Sequence, residues 1–286
     1  MSLRSYGNRI TMKAHRIARL AAVTPLSWLS TENRAAALEH LIEQMQITVE
    51  TPRGQIRYYI PTPLLASRGK GMLSKETDTI RWIDSFPNDC VFWDIGANVG
   101  VYSLYAAARS NVSVISFEPL AANFHVLCRN IEINGLGARI TAYCAALSGV
   151  TELGVLNMAS SSMGSALSQF GRPGEMSPYC TNENKTGPMH GMIGYSIDDF
   201  ISQFEPAFPN YLKMDVDGLE WQILQGAQKT LRDARLHSLV VELSLSNQKE
   251  NLQAVTFLEK SGFRLRSVGN MQGTEVGQAA NHLFER

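Results

Sequence analysis

Neither sign of charge is in excess in this chain of 286 residues: 26 lysines and arginines face 26 aspartates and glutamates. That balance excludes a protein that holds nucleic acid or another polyanion by bulk charge. No apolar run approaches the roughly 18 residues that a membrane-crossing helix needs. Cysteine is scarce (Cys90, Cys128, Cys144 and Cys180), and no C-x-x-C pair occurs, so zinc ribbons and thioredoxin-like sites are excluded. Four unpatterned thiols read as reduced and mostly buried, in a cytoplasmic protein. G-x-G-x-x-G is missing too, and with it the dinucleotide fingerprint.

What is present is a globular composition, 44% hydrophobic and 18% charged, able to bury a real core. Residues 1–75 read as an N-terminal extension. It opens with a basic arm, in which Arg4, Arg9, Lys13, Arg16 and Arg19 precede the first acid, Glu32. A helix follows over 34–45, with Ala37, Leu38, Leu41, Ile42 and Met45 on one stripe. Two β-like runs, 47–51 and 55–60, flank Pro52-Arg53-Gly54 as a hairpin. Pro61 and Pro63 are expected to stop any regular element, and a short helix is expected over 77–85.

From residue 76 onward one larger domain is expected. Strands at 91–95, 112–117, 140–145, 211–216, 239–245, 263–268 and 282–285 alternate with helices at 101–108, 122–133, 220–231 and 247–261. Repeated β-α units of this kind imply an α/β fold, a doubly wound, mostly parallel sheet with helices on both faces. Residues 157–195, rich in Ser, Gly, Pro and Asn, read as a long insertion loop, a substrate lid or pocket wall.

Three strand ends carry chemistry. In the run from Val91 to Gly100 an apolar strand delivers Asp94, then Gly96 and Gly100, then a helix start. Glycines let backbone approach a ligand, and a helix start offers free N–H groups. Asp94 at that point would repel a pyrophosphate and suits an ammonium. Glu118-Pro119 follows the next strand, where an acid accepts hydrogen bonds from a ribose diol. A ribose ligand without phosphates, bearing an ammonium and a sulfonium, is S-adenosylmethionine. Asp215 and Asp217 end the strand 211–216, at the sheet edge where ligands sit in open α/β folds. Asp217 also has the position of a helix N-cap, with Glu220 three residues on.

The segments WDIGANVGVYSL, ISFEPLAANFHVLCRNIEIN, YCAALS, SIDDF, YLKMDVDGLEWQILQGA and LVVEL together resemble the FkbM family of S-adenosylmethionine-dependent methyltransferases, from about residue 75 to about residue 245. The resemblance implies a class I methyltransferase (Rossmann-like) fold, with a seven-stranded sheet whose last strand is antiparallel. It implies O-methylation of a hydroxyl on a sugar or other natural-product or small-molecule acceptor. By position, Asp94, Gly96, Asn98 and Gly100 match the family's cofactor loop. Glu118 matches its ribose-binding acid, with Pro119 and Asn123 beside it, and Ala145 and Ala146 its adenine pocket. Asp215 matches the acid after the fourth strand, and Glu242 that of the fifth. Where the family often has D-x-E-G, this chain has Asp217 in place of the Glu.

Methyl transfer to a hydroxyl needs an orienting group and a base. Asp215 is the first candidate, with Glu242 and His190 as the others. A Mg²⁺ on Asp215, Asp217 and Glu242 would lower the pKa of the hydroxyl, though no metal-ligand spacing points to one. Other functions stay open: a non-catalytic nucleoside-binding module of the same fold, or an NAD-dependent dehydrogenase, which the missing fingerprint disfavours. A nucleobase N-methyltransferase would carry Asn/Asp-Pro-Pro-aromatic, and no Pro-Pro occurs.

Overall fold

A computed structural model describes residues 25–108, 111–172, 188–244, 248–270 and 278–286. The chain divides into two compact units, 1–46 and 47–286. In the first, helix α1 (Thr31–Glu43) starts at Ser30, whose Oγ accepts from the Asn33 N–H at 3.3 Å. Its apolar stripe is not buried: Leu38, Leu41, Ile42 and Met45 are all exposed.

The larger unit begins at Ile47, and the hairpin packs within it. Strands β1 (Gln46–Thr51) and β2 (Gly54–Tyr59) form that hairpin. Ile56 and Tyr58 join a core that includes Ile83, Phe86, Phe92 and Tyr105. Asn134 ties down the hairpin's free edge, accepting from the Arg57 N–H at 2.9 Å and donating to the Arg57 carbonyl at 2.7 Å. Such pairing blunts an edge strand.

Pro63 does not end a regular element; it opens one. Helix α2 runs Pro63–Lys75, with Thr62 as N-cap and proline in the first turn, where a missing N–H costs nothing. Helix α3 (Thr77–Asp84) follows directly.

The main sheet then assembles from β3 (Cys90–Ile95), helix α4 (Val101–Ala107), β4 (Val112–Phe117), helix α5 (Ala121–Ile133) and β5 (Ile140–Tyr143). A smaller sheet interrupts it: β6 (Ala146–Leu147), β7 (Glu152–Met158), β8 (Ser168–Gly171) and β9 (Met189–Tyr195), in the order β6-β9-β7-β8. The main sheet resumes after α6 (Ile197–Phe204) with β10 (Tyr211–Met214), α7 (Glu220–Gln225), β11 (Ser238–Ser244), α8 (Gln248–Lys260), β12 (Arg264–Val268) and β13 (Ala279–Glu285). Its seven strands run β12-β13-β11-β10-β3-β4-β5, parallel except for β13, which is antiparallel to both neighbours. This is the mostly parallel α/β sheet that the alternation implied.

Strand alternation sends successive side chains to opposite faces. Phe92, Val114 and Val240 join the core beneath Ile83 of α3 and Leu104 of α4. Trp93, Ile95, Leu212, Met214 and Val241 meet Phe200 of α6, Leu224 of α7 and Leu258 of α8. Two buried faces explain why the central strands read as continuous apolar runs.

The stretch 157–195 is not one loop. Its ends are strands, and 173–187 lie outside the described residues. Gly194, within this stretch, is a strand position: the Phe170 ring fills the space above it and above Gly154 of β7, where any Cβ would collide with the ring. Residues that look like turn formers are therefore strand positions cleared for an aromatic ring.

Candidate active site

A cleft of about 310 Å³ opens at the C-terminal tips of β4, β3, β10 and β11. Its floor is the turn after β3. The Gly96 and Ala97 N–H groups both donate to the Phe117 carbonyl at 3.0 Å, which binds the turn to the end of β4. Gly96 has φ +79, and a Cβ there would overlap the Asp215 carbonyl. Gly100 has φ +85, and its Cβ would strike Leu127. Both glycines thus permit close packing within the protein, not only approach of a ligand.

Glu118 sits at the tip of β4, 5% exposed. Its Oε2 accepts from the Asn98 N–H at 2.7 Å and its Oε1 from the Leu120 N–H at 2.9 Å. Burial pushes this carboxyl up to about 7, against the lowering pull of those two N–H groups. Asn123 donates to Glu118 at 3.4 Å and accepts from the Gly164 N–H at 2.7 Å. Pro119 lines the cleft, while Ala145 and Ala146 line a separate apolar cavity of about 20 Å³, with Phe117, Pro119 and Phe170. That volume is close to a single water.

Asp94 departs from expectation. Its side chain is wholly buried, accepts from Ser103 Oγ at 2.5 Å and does not line the cleft. Burial raises its carboxyl despite the neighbouring Lys213 and the Ser103 hydroxyl. The reason is register: Asp94 pairs with Lys213 across β3 and β10, one residue short of the strand tip.

Beneath the β10 end lies a buried charge cluster. Lys213, 1% exposed, reaches Asp215 Oδ2 at 2.7 Å and sits 4.8 Å from the centre of the Tyr102 ring. Burial alone would lower the ammonium, but the carboxyls of Asp215, Glu76 and Asp94 overcome it and raise it well above the lysine range. Burial likewise raises Asp215, yet the Lys213 ammonium and hydrogen bonds from Lys213 and Glu242 outweigh it, so this carboxyl is lowered. Glu242 is raised, first by the Asp215 charge and then by burial. The pair therefore holds a proton on Glu242 and a charge on Asp215. Among the described residues, no group of three or more His, Cys, Asp or Glu is arranged to hold a metal ion.

Asp217 does not cap α7. Its φ is +57, the helix N-cap is Leu219, and Asp217 Oδ2 accepts from the Leu167 N–H at 2.6 Å. Glu220 turns back instead to accept from the Val216 and Gly218 N–H groups at 3.1 and 3.2 Å. Asp217 is raised to about 6 by burial and by the Asp215 charge.

Of the three candidates for the base, His190 is the one that the fold does not bring to the cleft. It lies on β9 opposite Leu156, half-buried, and does not line the cavity. Lys213, Arg68 and Lys75 are the residues that sequence patterns missed. A lysine inside a strand buried on both faces needs a counter-charge, and that signal was legible. Arg68 and Lys75 sit on α2, the helix that the two prolines hid.

The sequence profile of the methyltransferase FkbM domain matches residues 94–265. Methyltransferase 1 of Beauveria bassiana is 27% identical over 197 residues, spanning 62% of this chain and 74% of that protein. Hexuronic acid methyltransferase AglP of Haloferax volcanii is 25% identical over 213 residues, spanning 73% and 79%. Among solved structures, precorrin-6y C5,15-methyltransferase from Geobacter metallireducens aligns at 13% identity with a TM-score of 0.43, over 73% of this chain and 86% of that one.

Proposed function

The chain belongs to the FkbM-domain methyltransferases, and on that premise we propose that it moves a methyl group from S-adenosylmethionine to a hydroxyl on a sugar or other small-molecule acceptor. The observation that carries this is the gathering of Glu118, the 96–98 turn and Asp215 around one cleft at adjacent strand tips. The cleft is at the small end of the usual range for ligand sites, roughly 300–1,000 Å³. Its groups fit the cofactor. Glu118 offers a carboxylate to ribose hydroxyls, and Asn98 Oδ1 is a buried acceptor without a hydrogen-bond partner. The Haloferax relative is a hexuronic acid methyltransferase, which favours a saccharide acceptor.

The cofactor supplies a methyl group already activated on a sulfonium. The protein has to align the acceptor and receive one proton. Asp215 keeps 27% of its side chain open to the cleft and is held ionised by Lys213, so it accepts a hydrogen bond from the acceptor hydroxyl and takes its proton. Glu242 holds Asp215 from the other side. An assay of S-adenosylhomocysteine release over a panel of neutral and acidic glycosides tests this. D215N should keep S-adenosylhomocysteine affinity and lose turnover by about 100-fold. Unchanged turnover in D215N would remove Asp215 from the role.

A further inference from the structure

The cleft has two chemically different halves. At the tips of β3 and β4 it presents Gly96, Asn98, Glu118 and Pro119, next to the apolar cavity of Ala145 and Ala146. At the tips of β10 and β11 it presents the acids Asp215, Asp217 and Glu242, and two cations of α2, Arg68 and Lys75, line the same cleft. If the nucleoside occupies the first half, as proposed above, the amino-acid tail of the S-adenosyl ligand extends into the second. That tail carries one ammonium and one carboxylate, and each needs a counter-charge where water is partly excluded.

Asp94 cannot serve the ammonium, because it is closed off beneath the turn. Asp215 is already engaged by Lys213 and Glu242. Asp217 is left. It lines the cleft, half-buried, at a left-handed backbone angle that an aspartate tolerates. Asn98 Oδ1, the buried acceptor without a hydrogen-bond partner, lines the same cleft.

For the carboxylate there are two cations. Lys75 is mostly exposed and lies 3.7 Å from Glu76. Arg68 is half-buried, and its Nε donates to the Gly164 carbonyl at 2.7 Å. That bond anchors the guanidinium by one edge, and among the described residues no acid lies within ion-pair distance of it. A guanidinium fixed at Nε still has donors for a carboxylate in the fork geometry that arginine favours.

We propose that Arg68 and Asp217 form the subsite for the amino-acid tail of the S-adenosyl ligand, with Arg68 holding its carboxylate and Asp217 its ammonium. The assignment rests on the cofactor proposed above. It makes the N-terminal helix α2 part of cofactor selection, and it makes a bare nucleoside a poor ligand.

Calorimetric titration of the full chain with three probes tests this. S-adenosylhomocysteine has the whole tail, 5′-methylthioadenosine has none, and decarboxylated S-adenosylmethionine lacks only the carboxylate. R68M should weaken S-adenosylhomocysteine binding by about tenfold, with R68K between it and the wild type. R68M should bind 5′-methylthioadenosine within about twofold of wild type, which also shows that the variant is folded. It should bind decarboxylated S-adenosylmethionine as the wild type does. D217N should weaken both tail-bearing ligands and spare 5′-methylthioadenosine. Equal losses for all three ligands would overturn the subsite, because Arg68 and Asp217 would then act only by fastening residues 164–167. No loss in either variant would overturn it as well. A wild-type chain that binds none of the probes would reject the cofactor itself, and the first titration shows that separately.

Discussion

The two ends of the cleft are built by different means. The β3–β4 end is a backbone device: Gly96 and Ala97 donate to Phe117, Asn98 donates to Glu118, and one carboxyl organises the whole turn. The β10–β11 end is a charge device, in which the buried Lys213 balances Asp215 while Glu242 retains a proton. The first is local in sequence and tolerates little change in shape. The second joins the end of β10 to β11, residues nearly thirty positions apart that meet only across the sheet, and tolerates little change in charge.

Removing the buried cation should do the most damage. K213M leaves Asp215 without its counter-ion and is expected to lower stability by about 3 kcal/mol, read as a shift in the urea midpoint. A shift below about 0.5 kcal/mol would mean that the cluster contributes little and that the two ends differ less than described here.

The next effect belongs to the other end. E118A removes the carboxyl proposed to accept from the two ribose hydroxyls, at about 1.5 kcal/mol for each bond, and should weaken S-adenosylhomocysteine binding roughly 100-fold by calorimetry. Stability should fall as well, because the Asn98 and Leu120 N–H groups lose their acceptor, but E118Q, which keeps an acceptor for one of them, should restore most of it. If E118A instead unfolds the chain while K213M is mild, the contrast is reversed.

Titration sharpens the contrast more gently. Glu118 and Glu220 are raised from an ordinary value near 4.5 to about 7, in both cases chiefly by burial. The unfolded chain ionises these groups first, so as pH climbs from about 4.5 to about 7 they lower the stability of the native state. E220Q keeps an acceptor for the Val216 and Gly218 N–H groups but removes one ionisation. It should flatten the fall of Tm between about pH 5 and 7. The smallest effect belongs to His190, outside the cleft: H190A should leave S-adenosylhomocysteine affinity and turnover within about twofold of wild type.

The same contrast governs what could be read from the residues alone. Alternating apolar runs and turns made the parallel sheet and the β3–β4 end legible, because Asp94, Gly96, Glu118 and their spacing lie within one βαβ unit. Asp94 is legible as a residue near the end of β3, but not as a buried one, since a period of two does not tell which strand residue reaches the tip. Helix α2 was obscured by Pro61 and Pro63, although Thr62-Pro63 is a helix start. The second sheet was obscured by glycines that make room for Phe170. Lys213, Arg68 and Asp217 meet only through tertiary packing, and no local spacing encodes that.

Calorimetric titration of S-adenosylhomocysteine into the folded full-length chain tests the central claim most directly: a cleft across these strand tips that seats an S-adenosyl nucleoside. The expected result is saturable one-to-one binding that E118A weakens and H190A does not. No saturable heat, or one-to-one binding of NAD in its place, would contradict the account.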